Sequence, residues 1–148
     1  MGAVSDVKVT FISDEVAADP NGFSASAQVA NNAALVLGGA LASGGAVTLG
    51  SARTVSITSG GDDSGISFTV VGTDLDGVSL TESITGADTG AATGSKFFKT
   101  IVSITAVGDP AGTVIAGTTA VAADIVFGGR TRFKGYSIVS GGTPGVIS

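Results

Sequence analysis

The feature that most constrains the fold is a succession of short runs rich in Val, Ile, Ser and Thr, separated by Gly, Asp, Asn or Pro. Residues branched at Cβ fit the pleated surface of a sheet, whereas Gly and Asp-Gly supply turns between strands. Short strands with a turn about every ten residues are typical of an antiparallel sandwich or barrel. The runs predict strands at 7–12, 34–37, 46–49, 53–58, 66–73, 78–85, 97–107, 113–116, 124–127 and 130–139.

Length and composition indicate one domain whose hydrophobic core contains few large side chains. The chain has 148 residues, enough for one hydrophobic core, and contains 24 Gly, only seven Phe and no Trp. Charged residues make up 13% of the chain, so its surface has little charge to oppose association with other protein molecules. We predict an all-β fold, an antiparallel β-sandwich of immunoglobulin-like or jelly-roll-like type. The predicted divisions are an N-terminal arm at 1–32, the sandwich at 33–124 and a C-terminal strand or arm at 125–148.

Charge and missing residue types exclude several classes of function. A net charge of −5 disfavours binding to nucleic acid, which needs a cationic surface. Neither His nor Cys occurs, which removes imidazole and thiolate ligands and the usual catalytic triads. An uncharged stretch of 32 residues separates Pro20 from Arg53, but paired glycines and polar residues interrupt it, so we expect no membrane span. We assign no catalytic residue, cofactor or metal.

The stretch from Ser67 to Gly86 predicts a hairpin. A three-residue loop, Leu75–Gly77, with Gly77 in the left-handed conformation, pairs Asp74 with Val78. This register is preferred because a slip of one residue would turn the apolar set towards water. The predicted apolar face comprises Ile66, Phe68, Val70, Val78, Leu80 and Ile84, and the opposite face Ser67, Thr69, Ser79, Thr81, Ser83 and Thr85.

In this register Glu82 lies opposite Val70 on the apolar face. A buried carboxylate needs a partner, and Arg53 heads a similarly alternating strand. We therefore predict an ion pair between Arg53 and Glu82 at the sheet rim or a subunit boundary. In the alternative, both side chains reach solvent at the ends of their strands.

The acidic residues of the hairpin do not fit known catalytic or calcium-binding spacings. With Gly77 at the sixth position of a calcium loop, the first and twelfth positions are Gly72 and Ser83 rather than carboxylates. Asp74 and Glu82 would lie roughly 13 Å apart, beyond the roughly 5 to 9.5 Å of glycosidase pairs. A weak surface calcium site at Asp62 and Asp63, or at Asp74 and Asp76, stays open as an alternative.

The segment RTRFKGY near the C-terminus carries three of the seven cations in a region without acids after Asp124. Strand alternation places Arg130, Arg132 and Lys134 on one face and Phe133 on the other. This pattern suits docking against an acidic surface of a neighbouring copy or another partner. A charged edge strand that resists aggregation is the alternative.

Residues 35–118 resemble a β-sandwich module of structural proteins in tailed-bacteriophage virions. The resemblance rests on the Arg53-x-Val55-x-Ile57 strand, the GDDSG loop, the GTDLDG hairpin ending in Glu82, and Phe97-Phe98 leading into IVSITA. It covers somewhat over half of the chain and carries no catalytic residue.

This resemblance implies a non-enzymatic virion protein, most simply a capsid decoration or cement protein. Its partners would be the major capsid protein or other virion subunits, and it would form a homo-oligomer. A tail, tube or head-to-tail connector component is the first alternative. A carbohydrate-binding module is the second, although one Tyr and no Trp leave little for stacking against sugars.

Overall fold

The computed structural model describes residues 17–123, and every regular element in this range is a β-strand. All strand pairings are antiparallel, which confirms the predicted all-β antiparallel class. No helix within residues 17–123 is long and apolar enough to cross a membrane. The strands are β1 (Asp19–Gln28), β2 (Ala42–Ser43), β3 (Ala46–Asp62), β4 (Ser67–Thr73), β5 (Ser79–Thr85), β6 (Asp88–Thr93), β7 (Phe98–Val107) and β8 (Thr113–Ala123).

The strands form an open sheet in the order β1-β8-β3-β7-β4-β5, with β2 and β6 as additional partners of β3. The predicted strands at 46–49 and 53–58 are one strand, β3, which is 17 residues long. Its first half pairs with β7, and its second half lies between β8 and β6. Because β3 pairs with β6, β7 and β8, it connects the two halves of the sheet.

Strands from both halves of the sheet contribute to a single hydrophobic core. Three phenylalanines, Phe23, Phe68 and Phe98, are fully buried in it. The core is otherwise built from small and branched side chains, as the composition predicts. Those other members are Val29, Leu35, Leu37, Val47, Leu49, Val55, Ile57, Val70, Ile84, Ile101, Ile104, Ala106, Val114 and Ala116.

The segment predicted as an N-terminal arm, 1–32, includes β1. β1 pairs with β8, and its Phe23 is fully buried. Two register shifts interrupt the pairing of β1, so its buried residues do not alternate along the chain as a regular strand requires. In the predicted strand at 34–37, Ala34 forms only an isolated bridge to Thr105. The predicted strands at 7–12, 124–127 and 130–139 lie outside the described residues.

The β4–β5 hairpin has the predicted register. Val70 pairs with Glu82, and the backbone N–H of Asp74 donates to the carbonyl of Val78 at 2.9 Å. Gly77 has a φ of 78°, which is the left-handed conformation that a residue without Cβ adopts at least cost. Val78 is the exception to the predicted apolar face, because 60% of its surface is exposed at the tip of the hairpin.

Candidate interaction surface

Arg53 lies on β3 with only 5% of its surface exposed. Its Nη1 donates to the side-chain hydroxyl of Thr118 at 3.0 Å and to the carbonyl of Ala17 at 3.2 Å. Thr118 in turn accepts a bond from the backbone N–H of Asp19. The guanidinium therefore ties β3 to β8 and to the chain that leads into β1.

Glu82 is also buried, but its partners lie elsewhere. Its Oε1 accepts bonds from the backbone N–H of Ser95 at 2.6 Å, the hydroxyl of Ser95 at 3.0 Å and the backbone N–H of Lys96 at 3.2 Å. The carboxylate thus holds the β6–β7 connection against β5. The predicted ion pair between Arg53 and Glu82 is wrong, because each side chain bonds other groups and strands β7 and β4 separate β3 from β5.

The four C-terminal residues predicted to form an interaction segment, Arg130, Arg132, Phe133 and Lys134, lie outside the described residues. Their role in docking stays a prediction.

Two of the carboxylates considered for a surface calcium site are engaged in their own turns. Asp74 Oδ1 accepts bonds from the backbone N–H groups of Asp76 and Val78, both at 2.9 Å. Asp62 Oδ1 accepts bonds from the hydroxyl and the N–H of Ser64, and these bonds lower the pKa of Asp62. Within residues 17–123, no group of three or more acidic side chains is placed to hold a metal ion.

The outer face of strands β5, β4 and β7 is a regular array of hydroxyl groups. The two pairing registers define four rows of three residues across these strands, and none of the twelve is buried. All carry a hydroxyl except Val71 and Val107, and none carries a charge. The rows are Thr85–Ser67–Val107, Ser83–Thr69–Thr105, Thr81–Val71–Ser103 and Ser79–Thr73–Thr100.

Exposed valines line the β7 side of this array. Val102 is the extra residue of a bulge, because Ile101 pairs with Gly72 and Ser103 pairs with the adjacent Val71. The exposed fraction is 59% for Val102 and 51% for Val107. Val36 is 79% exposed, and the antiparallel bridge between residues 34 and 105 places it level with Ser103, beside the bulge. We call the four rows together with Val36 and Val102 the neutral face.

The sequence predicts the hydroxyl side of the β4–β5 hairpin but not the valines. Strand alternation does not show whether Ile101 or Val102 points to the interior. In the structure, the bulge leaves Ile101 buried and Val102 exposed. The only feature of the sequence that indicates a bulge here is the adjacent pair of apolar residues. A strand buried on both faces would explain such a pair equally well.

β5 ends the sheet on this side, and Lys96 covers part of its open edge. The Nζ of Lys96 donates to the carbonyl of Thr81 at 2.7 Å. A lysine at an exposed edge opposes unspecific strand pairing. The neutral face, rather than the β5 edge, is therefore the more open surface for contact with another protein.

Comparison of the chain with known protein families, curated protein sequences and solved structures gives no significant match.

Proposed function

We propose that the chain is a non-enzymatic structural protein of a tailed-bacteriophage virion that decorates and stabilises the capsid as an oligomer. The resemblance of residues 35–118 to virion sandwich modules supports this proposal, and so does the scarcity of charged residues. The observation that carries it is the neutral face, in which Val36, Val102 and Val107 are exposed among rows of hydroxyl side chains.

Such a face suits contact with another protein surface. Hydroxyl groups of Ser and Thr can donate and accept, so they form hydrogen bonds with many partner surfaces without burying a charge. The exposed valines add apolar area that gains from being covered. A contact through this face also avoids the entropy cost of ordering long side chains, because Ser, Thr and Val are short.

The size of the neutral face argues for binding in many copies. Three strands about 4.8 Å apart and four rows about 6.7 Å apart cover roughly 400 Å². A stable protein interface buries about 800 Å² on each partner. One copy would therefore bind weakly through this face, whereas an oligomer on a repeating lattice would gain from multivalency. This is the situation of a decoration protein.

The test compares two valine variants for binding to empty expanded capsids by co-sedimentation. V102D places a carboxylate in the neutral face, where covering it without a partner costs more than about 1.4 kcal/mol, or a factor of ten in affinity. V121D makes the same change on β8, outside the neutral face, where Val121 is similarly exposed at 53%. We expect at least tenfold weaker binding for V102D and unchanged binding for V121D. Equal binding by both variants would refute the role of the neutral face.

The alternatives give different results in two further measurements. A decoration protein occurs in the virion in proportion to the major capsid protein, whereas a tail or connector component occurs in few copies, so a quantitative gel of the virion separates them. If the unmodified protein does not bind capsids but binds defined glycans on an array, the carbohydrate-binding alternative replaces the proposal.

A further inference from the structure

The free edge of β5 is regular along its whole length. The pairing of β5 with β4 has no register shift, and the backbone N–H of Gly86 donates to the carbonyl of Ile66, its register partner. Even-numbered residues of β5 therefore direct their backbone groups at β4. Neighbouring residues of an antiparallel strand direct these groups to opposite sides, so the odd-numbered residues direct theirs away from the sheet. The outward-directed residues are Ser79, Thr81, Ser83 and Thr85.

The connection between β6 and β7 lies against this edge. We call residues 94–96 of this connection the strap. Glu82 Oε1 accepts the N–H and the hydroxyl of Ser95 and the N–H of Lys96, and a Cβ at Gly94 would overlap the Glu82 carboxylate. From the strap, Lys96 Nζ donates to the carbonyl of Thr81, one of the outward-directed groups. Glu82 thus holds the strap, and the strap places a lysine on the edge.

β5 lacks the other features that keep an edge strand from pairing with a further strand. It contains no Pro and no bulge, and its one charged residue, Glu82, is buried. A regular edge with free backbone groups is a template for another strand. A second copy presents the same edge, and a two-fold axis brings the outward groups of two β5 strands opposite each other in antiparallel order.

We propose that Glu82 and Lys96 hold the strap as a guard on the β5 edge, and that β5 pairs with β5 of a second copy when the guard is removed. The bonds of Glu82 then have a role besides stability, because they decide whether this edge is available. The guard involves neither the neutral face nor a capsid, so its test is independent of the proposed function.

The test measures self-association of the full-length chain by sedimentation equilibrium. E82A combined with K96M releases the strap and removes the lysine from the edge. We expect self-association at least about tenfold stronger than in the unmodified chain, because several backbone hydrogen bonds become available to a second copy. G117A is the matched control, since it disturbs the contact between β8 and β1 and leaves the strap in place. Its self-association should equal that of the unmodified chain.

A proline on the edge separates strand pairing from unspecific aggregation. S83P removes an outward N–H and no bond to β4, which is the position where an edge strand tolerates proline. Added to E82A and K96M, it should return self-association to the level of the unmodified chain. T85P replaces S83P if that variant does not fold, and K96M alone replaces the double variant on the same ground. Unchanged self-association on release of the strap, an equal increase in G117A, or an increase that the proline does not reverse would overturn the proposal.

Discussion

Replacing Glu82 by alanine tests whether this carboxylate organises the β6–β7 connection. Three donors converge on Oε1, namely the backbone N–H of Ser95, its hydroxyl and the backbone N–H of Lys96. E82A removes the acceptor from all three. Both donor residues are themselves exposed, so water can replace part of what is lost.

The expected loss follows from the number of bonds. A hydrogen bond contributes about 1 kcal/mol net, so E82A should lower the free energy of unfolding by about 3 kcal/mol. E82Q keeps a carbonyl oxygen that can occupy the position of Oε1, and it loses the charge and the longer bond, 3.3 Å, from the Lys96 N–H to Oε2. We expect E82Q to cost about 1 kcal/mol, because bonds to charged acceptors are roughly twice as strong as neutral ones.

Urea unfolding followed by far-UV circular dichroism measures both variants, since the chain has no Trp for fluorescence. S83A is the control on the same strand, because Ser83 points to the outer face and is exposed. It should change stability by less than about 0.5 kcal/mol. The reasoning is refuted if E82A is no more destabilising than S83A, or if E82Q costs as much as E82A.

Three further predictions concern single positions. G117A should lower stability by about 3 kcal/mol, because a Cβ there would overlap the backbone of β1, whereas G50A, in open space, should change it by less than about 0.5 kcal/mol in urea unfolding. G77A should cost about 1 kcal/mol in the same assay through its positive φ, and G77N less. S64A should raise the pKa of Asp62 towards 3.8 in an NMR titration. Because the folded pKa of Asp62 is lowered, its contribution to stability is present above pH 3.8 and lost as the pH falls through the folded pKa, and S64A should reduce that loss.

The hairpin could be predicted from the sequence because its determinants are local. Asp74, Gly77 and the alternating residues on either side lie within one short stretch, and the loop length fixes the register. The structure adds that the Asp74 side chain accepts the N–H of Val78, which closes the loop. Local turn chemistry and the apolar pattern therefore agree on one register.

The partners of Arg53 and Glu82 could not be predicted because they depend on strand order. Alternation shows that both side chains point inward but does not show which strands are neighbours. β7 and β4 lie between β3 and β5, so the two residues belong to different parts of the sandwich. The same limit applies to β1, because Phe23 enters the core through pairing with β8, which is distant in sequence.

The distribution of charge explains how an acidic chain could pack closely with its own copies. Residues 17–123 contain three cations and eight acidic residues, a net charge of −5. The acidic residues lie at strand ends and turns, apart from Glu82 on β5; Asp63 and Glu82 are buried, and the neutral face has no acidic residue. The neutral face itself carries no charge, and the nearest acidic residues, Asp74 and Asp76, lie in the loop that borders its Ser79–Thr73–Thr100 row, so charge repulsion would act only at the rim of a contact through this face. Binding through the neutral face should therefore persist at high salt, whereas docking through Arg130, Arg132 and Lys134 would weaken as salt screens their charge.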